Sequence, residues 1–176
     1  MREVSQSISD KNETKALYQL IGFIVVHWSL LEQSLDDTSL TVFKACGGNT
    51  IKPRVPPNLE GKLKFLHQSF CELSTLSVFK SRGLQIIERV NKLAGKRNEL
   101  IHGAITNLKS ENGGFVFAKY DYNKERAKLR KVTFSVNDFQ QLSQDIPTLA
   151  FDSAQLSHQI QQTFLPPKPS TTTSVP

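Results

Sequence analysis

The sequence predicts an all-α fold, a helical bundle of four or five helices with a small β-hairpin inserted before the last helix. Three observations carry that expectation. Apolar residues recur at three- and four-residue spacing through most of the chain, the spacing switches to alternation over residues 112–134, and Gly and Pro clusters fall mainly between the periodic segments. A chain of 176 residues is long enough to bury a core without disulfides or metals. Residues 10–165 read as one domain, with the hairpin at 112–134 inside it and a disordered tail over 166–176 that has almost nothing to bury.

The first dozen residues are polar and expected to fray, with Ser9 and Asp10 able to cap a helix and Glu13 in its first turn. Leu17, Leu20, Ile21, Ile24, Trp28, Leu31 and Leu35 then form a helical stripe, and Val25, Val26 and Leu30 widen it to a second side. A helix apolar around so much of its girth is central or covered by a partner subunit. It should end near Cys46-Gly47-Gly48, and residues 51–57, with Pro53, Pro56 and Pro57, cannot be a helix interior. A second helix over 59–73 aligns Leu59, Leu63, Leu66, Phe70 and Leu73, followed by a break at 74–77.

The third helix starts between Ser77 and Gly83 and places Leu84, Ile87, Val90, Ala94, Arg97 and Ile101 in the same rhythm. In the hairpin, Phe115, Phe117 and Lys119 alternate with Val116, Ala118 and Tyr120, and a weaker alternation over 129–134 follows a charged turn. Ser135 or Asn137 can cap a last helix through Phe139, Leu142, Ile146, Leu149, Leu156, Ile160 and Phe164, which Pro147 should kink or split.

Composition narrows the function classes. The apolar run 17–31 is interrupted by Tyr18, Gln19, Gly22, His27 and Ser29 and falls short of the roughly 20 residues that span a bilayer. Glu3, Asp10 and Glu13 precede it without signal-peptide order, so no membrane association and a cytoplasmic location are expected. Cys46 and Cys71 read as two reduced thiols, and beside four scattered histidines they give no metal framework, so neither metal nor cofactor is expected. Gly47-Gly48 and Gly113-Gly114 lack the lysine and preceding strand of a nucleotide loop. The formal charge of +6 permits attraction to a polyanion without requiring it.

The segment Arg97-Asn98-Glu99-Leu100-Ile101-His102 is the most informative. Arg97 falls on the apolar stripe of the third helix, an odd address for a guanidinium. Asn98 lies one turn before His102 and shares a face with it, and Glu99 is also near His102 at a spacing of three. Arg97 and His102 stand about 140° apart around the axis and about 7.5 Å apart along it, able to border one concave site. On a purely structural reading, Arg97 closes a salt bridge to Glu32 or Asp36. On a functional reading the pair supplies what RNA cleavage needs: histidine for proton transfer to and from the 2'-hydroxyl and leaving oxygen, arginine for the phosphoryl charge.

Arg97-Asn98-Glu99-Leu100-Ile101-His102-Gly103 resembles the Arg-Asn-x-x-x-His signature of the HEPN superfamily, and the likeness extends over about residues 17–105, including the early helix with Trp28, Leu31 and Glu32, plus the closing helix. The resemblance implies a short helical bundle that dimerises and, in many members, a metal-independent endoribonuclease of toxin–antitoxin, abortive-infection or CRISPR systems. It gives Arg97 the phosphate, His102 the acid–base role, Asn98 an orienting role and Glu99 at most an assisting one. The inserted hairpin and long last helix depart from that pattern. In-line displacement puts the attacking and leaving oxygens on opposite sides of phosphorus, and one motif per chain then calls for a homodimer with two His102 side chains at one cleft.

Lys124, Arg126, Lys128, Arg130 and Lys131, with Tyr120 and Tyr122, form a candidate RNA-binding cluster at the hairpin, diluted by Glu125 and Asp121. His27 interrupts the apolar run as a candidate neighbour of the cleft, or as a satisfied core histidine. Two further readings stand beside the nuclease: a noncatalytic dimeric module that binds RNA, nucleotide or protein, and a regulatory, antitoxin-like protein. For a toxin–antitoxin pair the expected partner is an antitoxin or nucleotidyltransferase-like protein.

Overall fold

The computed structural model describes residues 2–107, 114–123 and 126–166, with side chains for all of these except 2–11, 106–107, 122–123 and 126. In chain order the elements are α1 (Arg2–Ala45), a 3-10 turn (Gly48–Thr50), α2 (Leu59–Glu72), a second 3-10 segment (Ser74–Phe79), α3 (Lys80–His102), β1 (Ala104–Asn107), β2 (Phe115–Asn123), β3 (Arg126–Phe134) and α4 (Val136–Phe164). Among the described residues the protein is mostly helical, with four α-helices and one small antiparallel sheet in the order β1-β2-β3.

Three elements differ from expectation. α1 starts at Arg2, so Ser9 and Asp10 lie inside it; residues 2–12 hold no Gly or Pro to interrupt a helix. The expected two-stranded hairpin is a three-stranded sheet, because β1 leaves α3 directly and pairs Ala104 with Ala118 and Ile105 with Phe117. Four residues are too short for a period to show in sequence. α4 passes through Pro147 without splitting: the proline costs the helix a backbone donor, and the burial of Leu142, Ile146, Leu149 and Ala150 on both sides of it offsets that cost. The tail expected from 166 onward lies, beyond Pro166, outside the described residues.

Among the described residues, contacts cluster into two compact units, one within Met1–Leu31 and Glu88–Phe151, the other within Glu32–Ile87 and Asp152–Pro176. The first unit buries Leu17, Ile24, Trp28 and Leu31 of α1, Val90 and Leu100 of α3, and Leu142, Ile146 and Leu149 of α4. Its sheet is fastened to α4 through Phe139, which meets Phe115 edge-on at 5.7 Å and Phe134 in a tilted contact at 5.6 Å between centroids, while Phe117 meets Phe134 edge-on at 5.4 Å within the sheet. α4 starts on a reciprocal cap, in which Ser135 Oγ donates to Asp138 Oδ2 at 2.7 Å and accepts from the Asp138 amide at 3.1 Å.

The second unit buries Leu35 and Val42 of α1, Leu63, Phe65, Leu66 and Phe70 of α2, Ile86 and Ile87 of α3, and Leu156 and Ile160 of α4. Asn58 Oδ1 caps α2 by accepting from the Gly61 amide at 2.8 Å. Gly47, at φ 90°, ends α1 in the left-handed conformation that the Gly-Gly pair predicts. Cys46 is buried here, which pushes its thiol up to about 11, so it stays protonated near neutrality.

By length and composition, α1 from Asn12 to Ala45 passes as a helix able to cross a membrane, a wider window than the 17–31 run weighed alone. Its Leu17, Ile24, Trp28 and Leu31 stripe is buried in the first unit, while Tyr18, Phe23, Val26 and Leu30 are exposed on the other side.

Candidate functional site

All four motif residues sit in the last two turns of α3, inside the first unit. The helix closes with the Gly103 amide donating to the Glu99 carbonyl at 3.0 Å. A Cβ at Gly103 would come within 2.6 Å of that carbonyl oxygen and 2.9 Å of the Phe117 Cβ, so the absence of a side chain lets the chain turn from α3 into β1. His102 is therefore the last residue before the turn into the sheet.

Arg97 is half-buried, with its guanidinium carbon 5.4 Å from the centre of the Trp28 ring. Nη1 donates to Asn98 Oδ1 at 3.1 Å, whereas Nε is buried with no acceptor. Trp28, only 1% exposed, leaves its own Nε1 without an acceptor as well. Asp36, a partner on the purely structural reading, pairs with Lys62, and among the described residues of the first unit no carboxylate pairs with Arg97. The Trp28 face attracts the cation without cancelling its charge.

Glu99 has a partner that the helix alone could not reveal. Arg130 of β3 donates through Nη1 to Glu99 Oε1 at 2.6 Å and through Nε to Asp121 Oδ2 at 2.9 Å. The hydrogen bond to Glu99, then the charges of Asp121 and Glu99, raise the guanidinium above its already high range. One turn earlier, Lys96 reaches Asp138 at 3.1 Å. The Asp138 carboxyl is held below the usual carboxylate range, chiefly by the Ser135 hydroxyl and amide and then by Lys96.

His102 and Asn98 are exposed, and among the described residues no hydrogen bond ties down the imidazole. His27 is placed otherwise: its Nδ1 lies 2.9 Å from the Phe23 carbonyl oxygen and its ring 4.1 Å from the Phe23 ring, the environment of a satisfied histidine.

Among the described residues, the basic cluster at the sheet does not form one patch. Opposed residues share a face, so Lys128 with Asp121 and Arg130 with Lys119 project to one side, and Lys131 with Ala118 and Leu129 with Tyr120 to the other. Lys128 and Lys131 are exposed, and Arg130 is taken up by two carboxylates. Lys124 and the side chains of Arg126 and Tyr122 lie outside the described residues.

A cleft of about 280 Å³ opens between α3 and α4, lined by Arg89, Lys92, Lys96 and Asp145 over Leu93 and Leu142. Lys92 and Lys96 are paired with Glu88 and Asp138, so the cleft carries little net charge for an anion. Among the described residues no three metal-binding side chains gather.

Sequence reading missed two contributors, Trp28 as the platform of Arg97 and Arg130 as the partner of Glu99. Trp28 was legible as a core residue, but its pairing with Arg97 depends on how α1 meets α3. Arg130 and Glu99 are 31 residues apart, and no local pattern links them. No family model, curated protein or solved structure matches this chain.

Proposed function

We propose that the chain is an RNA-directed protein of the HEPN type, a homodimeric, metal-independent endoribonuclease acting in the cytoplasm in defence or stress. Arg97 carries the reading. It is a half-buried cation that no described carboxylate of the first unit pairs with, braced on Trp28, with a buried donor left without an acceptor and an exposed histidine a turn and a half further on. A half-buried guanidinium with one donor left unpaired is costly for folding and useful for binding a phosphoryl group.

In this reading Arg97 steadies the negative charge that develops on the phosphoryl oxygens, and Asn98 holds the guanidinium through Nη1. His102 transfers protons at the 2'-hydroxyl and, from the second protomer, at the leaving 5'-oxygen. The dimer is supported by the exposed Phe23, Val26 and Leu30 on one side of α1, an apolar strip that a second copy covers. Lys128 and Lys131 lie on opposite faces of the sheet, and each is available to a flanking phosphate. In a toxin–antitoxin setting the partner is an antitoxin or nucleotidyltransferase-like protein.

The second reading, a noncatalytic dimeric module that holds RNA or nucleotide, is favoured by the bonds that occupy Arg97 Nη1 and Arg130 in the free protein. Product analysis separates the two. The nuclease cuts labelled single-stranded RNA in EDTA, leaves a 2',3'-cyclic phosphate and a 5'-hydroxyl, and spares an all-deoxy strand. Binding without cleavage supports the module.

A further inference from the structure

We infer that Arg130 is a positioning residue for the candidate site: clamped between Glu99 and Asp121, it ties the last turn of α3 to the sheet and so fixes where His102 is presented. The inference rests on the proposed role of His102, and its mechanical half is measurable without it.

Helix ends fray because their last carbonyls lack partners. α3 has no Lys or Arg in its final turn to hold them, only His102 itself. After the Gly103 amide bonds to Glu99, the chain departs into β1. Glu99 is the side chain one turn before His102, and residues three apart on a helix hold their Cβ atoms about 5–6 Å from each other. A clamp on Glu99 therefore restrains the turn that carries the histidine.

The clamp has its own anchor. Nη1 points to Glu99 and Nε to Asp121, so two edges of one planar guanidinium are used, and the backbone of Arg130 is paired with Lys119 in the sheet. Both of those edges are occupied by carboxylates in the free protein, so Arg130 acts on the histidine's placement rather than on RNA.

The test compares wild type, Arg130→Gln and Arg130→Lys. Amide hydrogen exchange measured by NMR should quicken at His102 and Gly103 by about threefold to fivefold in Arg130→Gln, the scale of an exposed ion pair, while Val90 in the buried part of α3 stays unchanged. Arg130→Lys keeps one pairing and loses the second edge, so its exchange should fall between the two. In RNA cleavage, Arg130→Gln should lower kcat by about tenfold or more at unchanged KM, since small displacements of a reacting group are expensive in rate. Unchanged exchange at both amides overturns the inference, and so does a raised KM at constant kcat, which makes Arg130 a phosphate ligand. If the wild type is inert toward RNA, the function proposed above fails, and the exchange rates still decide whether Arg130 anchors the turn.

Discussion

Replacing Arg97 by methionine separates a residue kept for stability from one kept for chemistry. Methionine has comparable length and packs against Trp28 without a charge. Three effects set the balance. The buried Nε without an acceptor is relieved, a gain of about 1–3 kcal/mol. The cation over the Trp28 ring is lost, at a cost of about 0.5–2 kcal/mol. The exposed hydrogen bond to Asn98 goes as well, worth about 0.5–1 kcal/mol. These nearly cancel, so Arg97→Met should change unfolding free energy by less than about 1 kcal/mol, roughly 2–4 °C in Tm for a chain of this size. Urea denaturation with linear extrapolation reads the difference directly. A loss of about 3 kcal/mol or more is what breaking a buried ion pair produces. It would refute the argument by showing that Arg97 is chiefly a structural cation. A stable Arg97→Met protein that no longer cuts RNA is the outcome expected here.

Asp138 should govern part of the acid sensitivity. Its folded pKa is depressed, so its contribution is fully present above the unfolded value of about 3.9 and is lost as pH falls through the folded value. Asp138→Ala should therefore be about 1 kcal/mol less stable than wild type at pH 7, with the gap closing below about pH 4 in urea titrations at each pH. Gly83→Ala should destabilise by about 1–3 kcal/mol despite better helix propensity, because the added Cβ would meet the buried Phe70 ring at 2.5 Å; thermal melts check it. Light scattering should report a dimer at micromolar concentration, and Val26→Glu should yield a monomer with an unchanged circular dichroism spectrum, since Val26 is 58% exposed in the single chain.

Periodic burial is legible in the amino-acid pattern. Leu17, Ile24, Trp28, Leu31 and Leu35 repeat because one side of α1 must leave water, and all five are buried. The Gly-Gly stop at 47–48 and the alternation in β2 are legible for the same kind of local reason. β1 is not, since its pairing comes from β2 and its four residues carry no period. The site is half legible. Arg97 on an apolar stripe stands out as an anomaly, but the sequence offers acidic partners where the fold supplies the Trp28 ring. Arg130 is harder to read, because a run of cations looks like one patch until strand register sends neighbours to opposite faces and brings one of them to Glu99.

The most direct test of the central claim is the single-turnover rate of RNA cleavage by His102→Ala relative to wild type, both verified as folded dimers. Proton transfer by a positioned histidine is worth about 100-fold to 10,000-fold in rate. His102 is exposed and unbonded among the described residues, so removing it should leave stability intact. The account predicts a loss of at least about 100-fold with RNA affinity nearly unchanged. Equal rates for the two proteins would contradict it.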